Sequence, residues 1–285
     1  MKIKPNKTYL VTGGTGFLGE KLVEKIISMG GHVRVMSRNE GKLISLKHKY
    51  PSVDIYAGDI SDSFEVKQAC QGIAGVFHLA ASKHVGLAEK FSRECVKTNV
   101  IGTMNILEQT LAHKPEFIVG ISTDKAAQVS GVYGASKLLM ERLFKQYERL
   151  NDITEYRIVR YGNVLYSTGS VLCKWKDLIE NRKQVIVTDP DATRFFWTVD
   201  EAISLIFECM VVSKDSSPYV PNMKSMRMEK LLEAMRRKYS PDNSPLNIKK
   251  IGLQEGENLH EKILENGPYS NEVEEFTIEE IMEKI

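Results

Sequence analysis

Short apolar, β-branched runs alternate with longer stretches of helical periodicity through the first half of the chain. Thr8-Tyr9-Leu10-Val11 reads as a strand. From Phe17 to Met29 apolar residues recur at Leu18, Leu22, Val23, Ile26 and Ile27, the spacing of one helix face. Gly30-Gly31 stops that helix. Further strands are predicted at His32 to Met36, Val53 to Tyr56, Gly75 to Leu79, Phe117 to Ile121 and Glu155 to Tyr161, with helical patterns between them, among them Gly134 to Leu150. This alternation predicts an α/β fold, a doubly wound parallel sheet with helices on both faces. After about residue 165 the rhythm changes. Helical stretches at Ser170 to Asn181, Val199 to Val212 and Ser225 to Lys238 are interrupted by short runs such as Val185-Ile186-Val187 and by five prolines, from Pro190 to Pro245. Residues 1–164 are therefore expected to form one domain. Residues 165–285 are expected to form a smaller C-terminal α/β lobe ending in a Glu-rich surface helix or frayed tail.

Composition narrows this picture without changing it. The chain has 285 residues, 42% hydrophobic and 27% charged, a globular balance that excludes a disordered or fibrous protein. Its 39 basic and 37 acidic side chains leave a net charge of +2, which gives no case for nucleic acid as a partner. No apolar run is long enough to span a bilayer, and the basic start Met1 to Lys7 runs into a strand, not into a signal-peptide apolar region. The four cysteines lie far apart with no metal-ligand spacing. They read as free thiols of a reducing cytoplasm, with no metal site expected.

Thr12-Gly13-Gly14-Thr15-Gly16-Phe17-Leu18-Gly19 follows the first strand and opens the first helix. In that context the glycines permit a tight turn and a close approach of backbone to a pyrophosphate, which the helix N-terminus then attracts. Residues 1–164 are thus expected to be a Rossmann-type NAD(P)-binding domain. At the end of the second strand stands Ser37-Arg38-Asn39, with Lys42 close behind, where an acidic residue would bind the ribose of NAD. Arginine can pair with a 2′-phosphate. NADP(H) is favoured, and NAD(H) stays open if Arg38 only stacks on adenine or is solvated.

Tyr133-Gly134-Ala135-Ser136-Lys137 places a tyrosine and a lysine on one helix face. The lysine cation, together with a nicotinamide charge, is expected to lower the tyrosine pKa and make it a base for a hydroxyl proton. Ser122-Thr123-Asp124-Lys125 ends the fifth strand, where open α/β sheets carry reactive groups. A hydroxyl there suffices to orient a reacting alcohol. The adjacent acid and amine suit a second proton transfer, or they form a plain salt bridge on a loop.

These motifs resemble the C5-inverting UDP-N-acetylglucosamine 4,6-dehydratases among the extended short-chain dehydrogenases/reductases, enzymes that open pseudaminic acid and related surface-sugar pathways. The resemblance spans residues 8–265. It includes His78 to Val85, Lys97-Thr98-Asn99-Val100, Val159 to Val164, Gly169-Ser170-Val171, Thr193 to Phe196, and Gly256-Glu257 with Leu259-His260-Glu261. It implies that Tyr133, with Lys137 and Thr123, oxidises C4 of a UDP-linked amino sugar with hydride passing to the cofactor. Lys125 would then act as base at C5 and Asp124 as acid on the C6 hydroxyl, before hydride returns to C6 and C5 is reprotonated from the opposite face. The implied cofactor residues are Gly13, Thr15, Gly16, Phe17, Leu18, Ser37, Arg38, Lys42, Asp59 (at the adenine), Ile60, Leu79, Ala80, Ala81, Lys83, Asn99, Tyr133, Lys137, Tyr161, Gly162 and Val164. Lys83, Asn163, Ser170, Val171, Arg194 and Glu257 are implied at the substrate, Arg194 as a fork for the diphosphate. A homodimer or higher homo-oligomer is also implied. Two segments depart from the family pattern: Glu89-Lys90-Phe91-Ser92 lacks an Asn-Pro pair, and Gln254 to Asn258 replaces Arg-Pro-Gly-Glu-Lys. A sister 4-oxidoreductase or C5-epimerase would keep nearly all these motifs, and a non-catalytic NADP-binding regulator is the remaining alternative.

Overall fold

The computed structural model describes residues 2–242 and 244–285. The first part runs β1 (Thr8–Thr12), α1 (Phe17–Ser28), β2 (His32–Ser37), α2 (Glu40–Lys49), β3 (Asp54–Ala57), α3 (Ser63–Ala69), β4 (Gly75–His78), α4 (Val85–Lys90), α5 (Ser92–Val96), α6 (Gly102–His113), β5 (Phe117–Thr123), α7 (Val132–Glu148) and β6 (Glu155–Tyr161). A π-helical turn over Lys97–Ile101 joins α5 to α6. The second part runs β7 (Asn163–Val164), α8 (Val171–Glu180), β8 (Val185–Val187), β9 (Thr193–Trp197), α9 (Val199–Val212), β10 (Pro218–Tyr219), β11 (Ser225–Arg227), α10 (Met228–Tyr239), β12 (Ile248–Lys250) and α11 (Ile278–Lys284).

Among the described residues, seven strands form one parallel sheet in the order β10-β6-β5-β4-β1-β2-β3. This is the doubly wound Rossmann arrangement. The order reverses between β1 and β4, and the crevice of such a sheet opens at the carboxyl ends of these two strands. Side chains alternate across the sheet as the pleat requires. Tyr9 and Val11 point into a core with Leu22, Val23 and Ile26 of α1 and Ile206 of α9, whereas Leu10 points into the opposite core with Val66 of α3, Ile106 of α6 and Phe144 of α7.

The expected boundary at residue 165 is crossed once. α9 packs Ala202, Ile203 and Ile206 into the first sheet core beside α1, and β10 pairs with β6 as an edge strand of the main sheet. An amphipathic helix reads alike on either side of a boundary, so its periodicity carried no sign of which core it joins. The remaining lobe has its own core, built by Trp175 and Ile179 of α8, Leu231 and Met235 of α10, and Ile281 and Ile285 at the chain end. The Glu-rich last stretch thus ends in a packed helix, held by a capping box of Thr277 and Glu280. No helix among the described residues is long and apolar enough to cross a membrane.

His78 locks the carboxyl ends of the central strands together. Its ring is buried at the end of β4, with Nδ1 2.9 Å from the Thr12 hydroxyl of β1 and Nε2 2.9 Å from the Thr103 hydroxyl of α6. Burial holds the imidazole neutral, with its pKa lowered to about 3. The unfolded chain takes up a proton near 6.5 that the folded chain refuses, so stability declines as pH falls from about 6.5 toward 3. By pH 5 the loss is expected to be about 2 kcal/mol. Thermal melts between pH 7 and 5 check this: His78→Gln should flatten the slope, and an equally steep slope in that variant would overturn the assignment.

Candidate active site

The crevice at the switch point is a cleft of about 1020 Å³ that runs from the glycine turn to the second lobe. Gly13 occupies the left-handed region at φ 69°, and a Cβ built there would lie 2.9 Å from the Ala80 backbone. α1 starts at Gly16 with no side-chain cap on its first amides among the described residues, and these open into the cleft. A free helix N-terminus behind a glycine turn meets the requirement for a pyrophosphate. The turn therefore fits a dinucleotide.

Thr15, Phe17 and Leu18 line this end with Gly13 and Gly16. Ser37, Arg38, Lys42, Asp59 and Ile60 line the far side, and Leu79, Ala80, Ala81 and Lys83 come from the end of β4. The Thr15 and Ser37 hydroxyls meet at 2.8 Å. Arg38 is two-thirds exposed and lies 3.8 Å from Asp59, whose carboxylate also accepts from the Ser61 amide and hydroxyl. Those bonds hold its pKa below the ordinary value although burial acts the other way.

Asn99 lies elsewhere than expected. It is buried beneath the cleft wall, exchanging hydrogen bonds with the Ser82 backbone and donating to the Ser136 hydroxyl at 2.9 Å. It braces the loop after β4 against α7 and does not face the cleft.

Thr123, Lys125, Tyr133 and Lys137 form the centre of the cleft, with Tyr161, Gly162, Asn163 and Val164 beyond them. Gly134 sets their spacing: a Cβ there would stand 2.3 Å from the Lys125 carbonyl, so only glycine lets α7 start this close to the 124–126 turn. Glu89 of α4 accepts the Val132 amide at 2.6 Å and closes the amino end of α7. The Ser130 hydroxyl donates to the Gly256 carbonyl at 3.0 Å. The two segments that depart from the family pattern, around Glu89 and around Gly256, therefore meet at the amino end of the Tyr133 helix.

The electrostatics differ from expectation. Burial pushes the Tyr133 phenol up to about 12, and the cation that works against this is Lys125, helped by Thr123. Burial also pushes Lys137 down to about 8, and its Nζ donates to the Met140 sulfur at 3.2 Å. Lys137 stays mainly a cation at neutral pH, but the lysine acting on the Tyr133 phenol is Lys125 and not the i, i+4 partner that the spacing assigned. Asp124 sits beneath the cleft floor, fully buried. Its Oδ1 accepts from the Thr123 hydroxyl, the Lys125 amide and Lys125 Nζ, and its Oδ2 has no hydrogen-bond partner among the described residues.

The far half of the cleft belongs to the second lobe. Ser170 and Val171 open α8, and Glu257 accepts the Gln254 amide at 3.1 Å. Arg194 donates to the Thr193 and Leu259 carbonyls, both at 2.9 Å, and its Nε lies 3.8 Å from Glu261, so part of its donor set is already engaged. His84 and Lys174 stand with Lys83 by the start of α8. Burial lowers the pKa of both Lys83 and His84. Sequence reasoning did not single out His84, Lys174 or Glu261. His84 and Glu261 lay inside motifs already noted; Lys174 had only its place one turn into a helix.

The combination of sheet order and cleft chemistry defines an enzyme of the extended short-chain dehydrogenase/reductase type. The chain belongs to the polysaccharide biosynthesis protein family, whose model matches residues 9–283. It is 31% identical over 262 residues to an inverting UDP-N-acetylglucosamine 4,6-dehydratase of Campylobacter jejuni, covering 90% of this chain and 76% of that one. It is also 31% identical over 268 residues to a UDP-glucose 4-epimerase of Rickettsia bellii, covering 91% and 78%. The solved structure of Pen from Bacillus thuringiensis matches with a TM-score of 0.87 at 31% identity, covering 92% of this chain and 85% of that chain.

A side chain at position 13 must adopt a strained backbone and displace the Ala80 strand end. Gly13→Val is expected to weaken nicotinamide dinucleotide binding by at least ~10-fold, as read by fluorescence titration. Unchanged binding would show that the turn does not form the cofactor seat.

Proposed function

We propose that this enzyme is a C5-inverting 4,6-dehydratase of UDP-linked N-acetylhexosamines. The observation that carries the reading is the Asp124–Lys125 pair, with its Nζ–Oδ1 distance of 3.1 Å, set beside Tyr133 in the same cleft. Oxidation of an alcohol needs one proton acceptor; an acid–amine pair beside it serves a second proton transfer. The likeness to the inverting UDP-N-acetylglucosamine 4,6-dehydratase of Campylobacter jejuni supports the same chemistry.

The nicotinamide, when bound, supplies the acceptor and donor of hydride. The residues named at the glycine turn and α1 would hold its pyrophosphate. Tyr133, oriented by Thr123, takes the proton of the sugar C4 hydroxyl. The ketone so formed acidifies the hydrogen at C5. Lys125 faces the cleft and Asp124 lies behind it, so the pair moves protons as a unit: with its own proton passed to Asp124, Lys125 removes the C5 hydrogen, and the proton then leaves with the C6 hydroxyl. Return of the hydride to C6 and delivery of a solvent proton to the opposite face of C5 then give the inverted product, and Tyr133 gives up to solvent the proton it took from the C4 hydroxyl. Lys83, Lys174 and the start of α8 form a cationic seat for the UDP diphosphate, with His84 beside them as a neutral hydrogen-bonding group, a better seat than Arg194 alone because Arg194 is partly engaged within the protein. NADP(H) is the preferred cofactor in this reading, since Arg38 and Lys42 flank the end of β2 where no acid stands.

A second reading is a 4-oxidoreductase or C5-epimerase on a related UDP-sugar, and one observation favours its 4-oxidoreductase form, which needs no base at C5. Carboxylates hold Lys125 charged in the ligand-free enzyme, whereas a base at C5 must be a free amine. The Rickettsia bellii relative is named for epimerase chemistry.

Incubation with UDP-N-acetylglucosamine in D2O, followed by NMR, separates the two. The expected product is a 4-keto-6-deoxy sugar, inverted at C5 and deuterated there; its absence sinks the dehydratase reading. Tyr133→Phe should slow the reaction by about 10²- to 10⁴-fold, and Lys125→Met should abolish deuterium entry at C5. Arg38→Ala should raise the dissociation constant for NADP(H) about 10-fold and barely change that for NAD(H), an effect near 1.4 kcal/mol. Equal losses for both cofactors would point to NAD(H) or to no discrimination.

A further inference from the structure

Glu261 belongs to none of the roles described so far. It lies in the C-terminal lobe, 1% exposed, against Lys125 and Arg194 of the cleft. Its Oε1 is 3.6 Å from Lys125 Nζ and 3.8 Å from Arg194 Nε, and its Oε2 accepts from Asn258 at 3.3 Å. The backbone around it is pinned. The Glu261 amide donates to the Ser270 hydroxyl at 2.9 Å, that hydroxyl donates to the Thr193 carbonyl at 3.0 Å, and His260 bridges to Thr193 of β9. A carboxylate this buried must be paired, and here both partners are cations of the reaction cleft.

We propose that Glu261 is a positioning residue for Lys125, pairing with its ammonium across the lobe boundary and, with Asp124, aiming it into the cleft. Lys125 is thereby tied to the C-terminal lobe as well as to its own strand end. The groups that face Lys125 are Asp124, Glu261, Arg194 and Tyr133. Burial favours the neutral amine, and Arg194 adds to that; Asp124 and Glu261 outweigh both, so Lys125 is held above the ordinary lysine range. Lys137, in the same cleft and more deeply buried, is pushed the opposite way, to about 8. The lysine with more solvent access is thus the one held more firmly as a cation.

For catalysis this bears on the role proposed above for Lys125, and only the rate measurement below rests on that role. Glu261 opposes loss of the Lys125 proton. Replacing it by a neutral isostere releases the free amine at lower pH, and each unit of such a shift is about a tenfold change in free amine at a given pH.

The test is competitive labelling of the whole enzyme with trace acetic anhydride near pH 8.5, read by peptide mass spectrometry with Lys137 as the internal reference. In the wild-type enzyme Lys125 should label more slowly than Lys137 in spite of its greater access. In Glu261→Gln the Lys125-to-Lys137 ratio should rise by on the order of tenfold. In Glu261→Asp, which keeps the charge, it should stay near the wild-type value. A general opening of the cleft would raise both lysines and leave the ratio unchanged. An unchanged ratio in Glu261→Gln, or a wild-type Lys125 that labels as fast as Lys137, overturns the proposal. If Glu261→Gln does not fold, the wild-type ratio and Glu261→Asp decide. In the rate profile of Glu261→Gln the limb governed by Lys125 should move to lower pH. Should no protein form the 4-keto-6-deoxy product while the labelling ratios behave as stated, the dehydratase reading fails and the assignment of Glu261 stands.

Discussion

Charge buried at the carboxyl edge of the sheet joins the two parts of this protein. Arg160 of β6 is fully enclosed, yet Glu141 of α7 meets it with both carboxylate oxygens, at 3.0 and 2.6 Å, and the Ile263 carbonyl accepts from it at 2.8 Å. Glu265 adds a second carboxylate, and the Ser122 hydroxyl donates to Glu141. A few ångströms of chain away, Glu261 closes on Lys125 and Arg194. Such clusters add little net stability over an apolar core, but losing one partner strands a charge and costs on the order of 3–5 kcal/mol. Their effect is specificity of place. They allow the segment around residues 259–265 only one seat, against the ends of β5 and β6, where the reactive residues emerge.

That constraint gives the cleft its two-sided chemistry. The sheet supplies the glycine turn, Thr123 and Lys125 from strand ends, and Tyr133 and Lys137 from the helix that follows β5. The second lobe supplies Arg194, Glu257, Glu261 and the open start of α8. The second lobe is tied directly to the cleft, since Lys125 pairs with Asp124 beside it and with Glu261 of that lobe. The amino end of α7 has a similar double tie, through Glu89 and through Ser130 to Gly256. Both ties use segments in which this chain departs from the family pattern, so changes in the substrate pocket and in the seating of the Tyr133 helix are mechanically connected.

At Tyr133 and Lys137 burial sets the direction of protonation, whereas at Lys125 the carboxylates outweigh it. Tyr133 is raised and Lys137 lowered by the same desolvation, and the cation that counts at Tyr133 is the lysine eight residues before it, brought close by the tight packing at Gly134. In the ligand-free enzyme Lys125 is held charged between Asp124 and Glu261.

The alternation of short apolar runs and helical patterns determined the parallel sheet, because strand and helix periodicities are local properties of the chain. The glycine turn and Tyr133-x-x-x-Lys137 were legible for the same reason: turn geometry and i, i+4 spacing need no distant partner. Asp124 and Lys125 could be marked, by their residue types at a strand end, as more than simple oxidation needs, with a plain salt bridge as the alternative. Tertiary structure alone decided the rest. It assigned α9 and β10 to the main sheet, because an amphipathic face does not name its partner. It moved Asn99 from the cleft to a brace behind it and Asp124 beneath the floor, because burial is a property of the assembled layers. It also joined Lys125 to Glu261 and Arg160 to the Ile263 carbonyl, the latter across 103 positions. Charge pairing at that separation depends on which surfaces the fold brings together, and no local pattern encodes it.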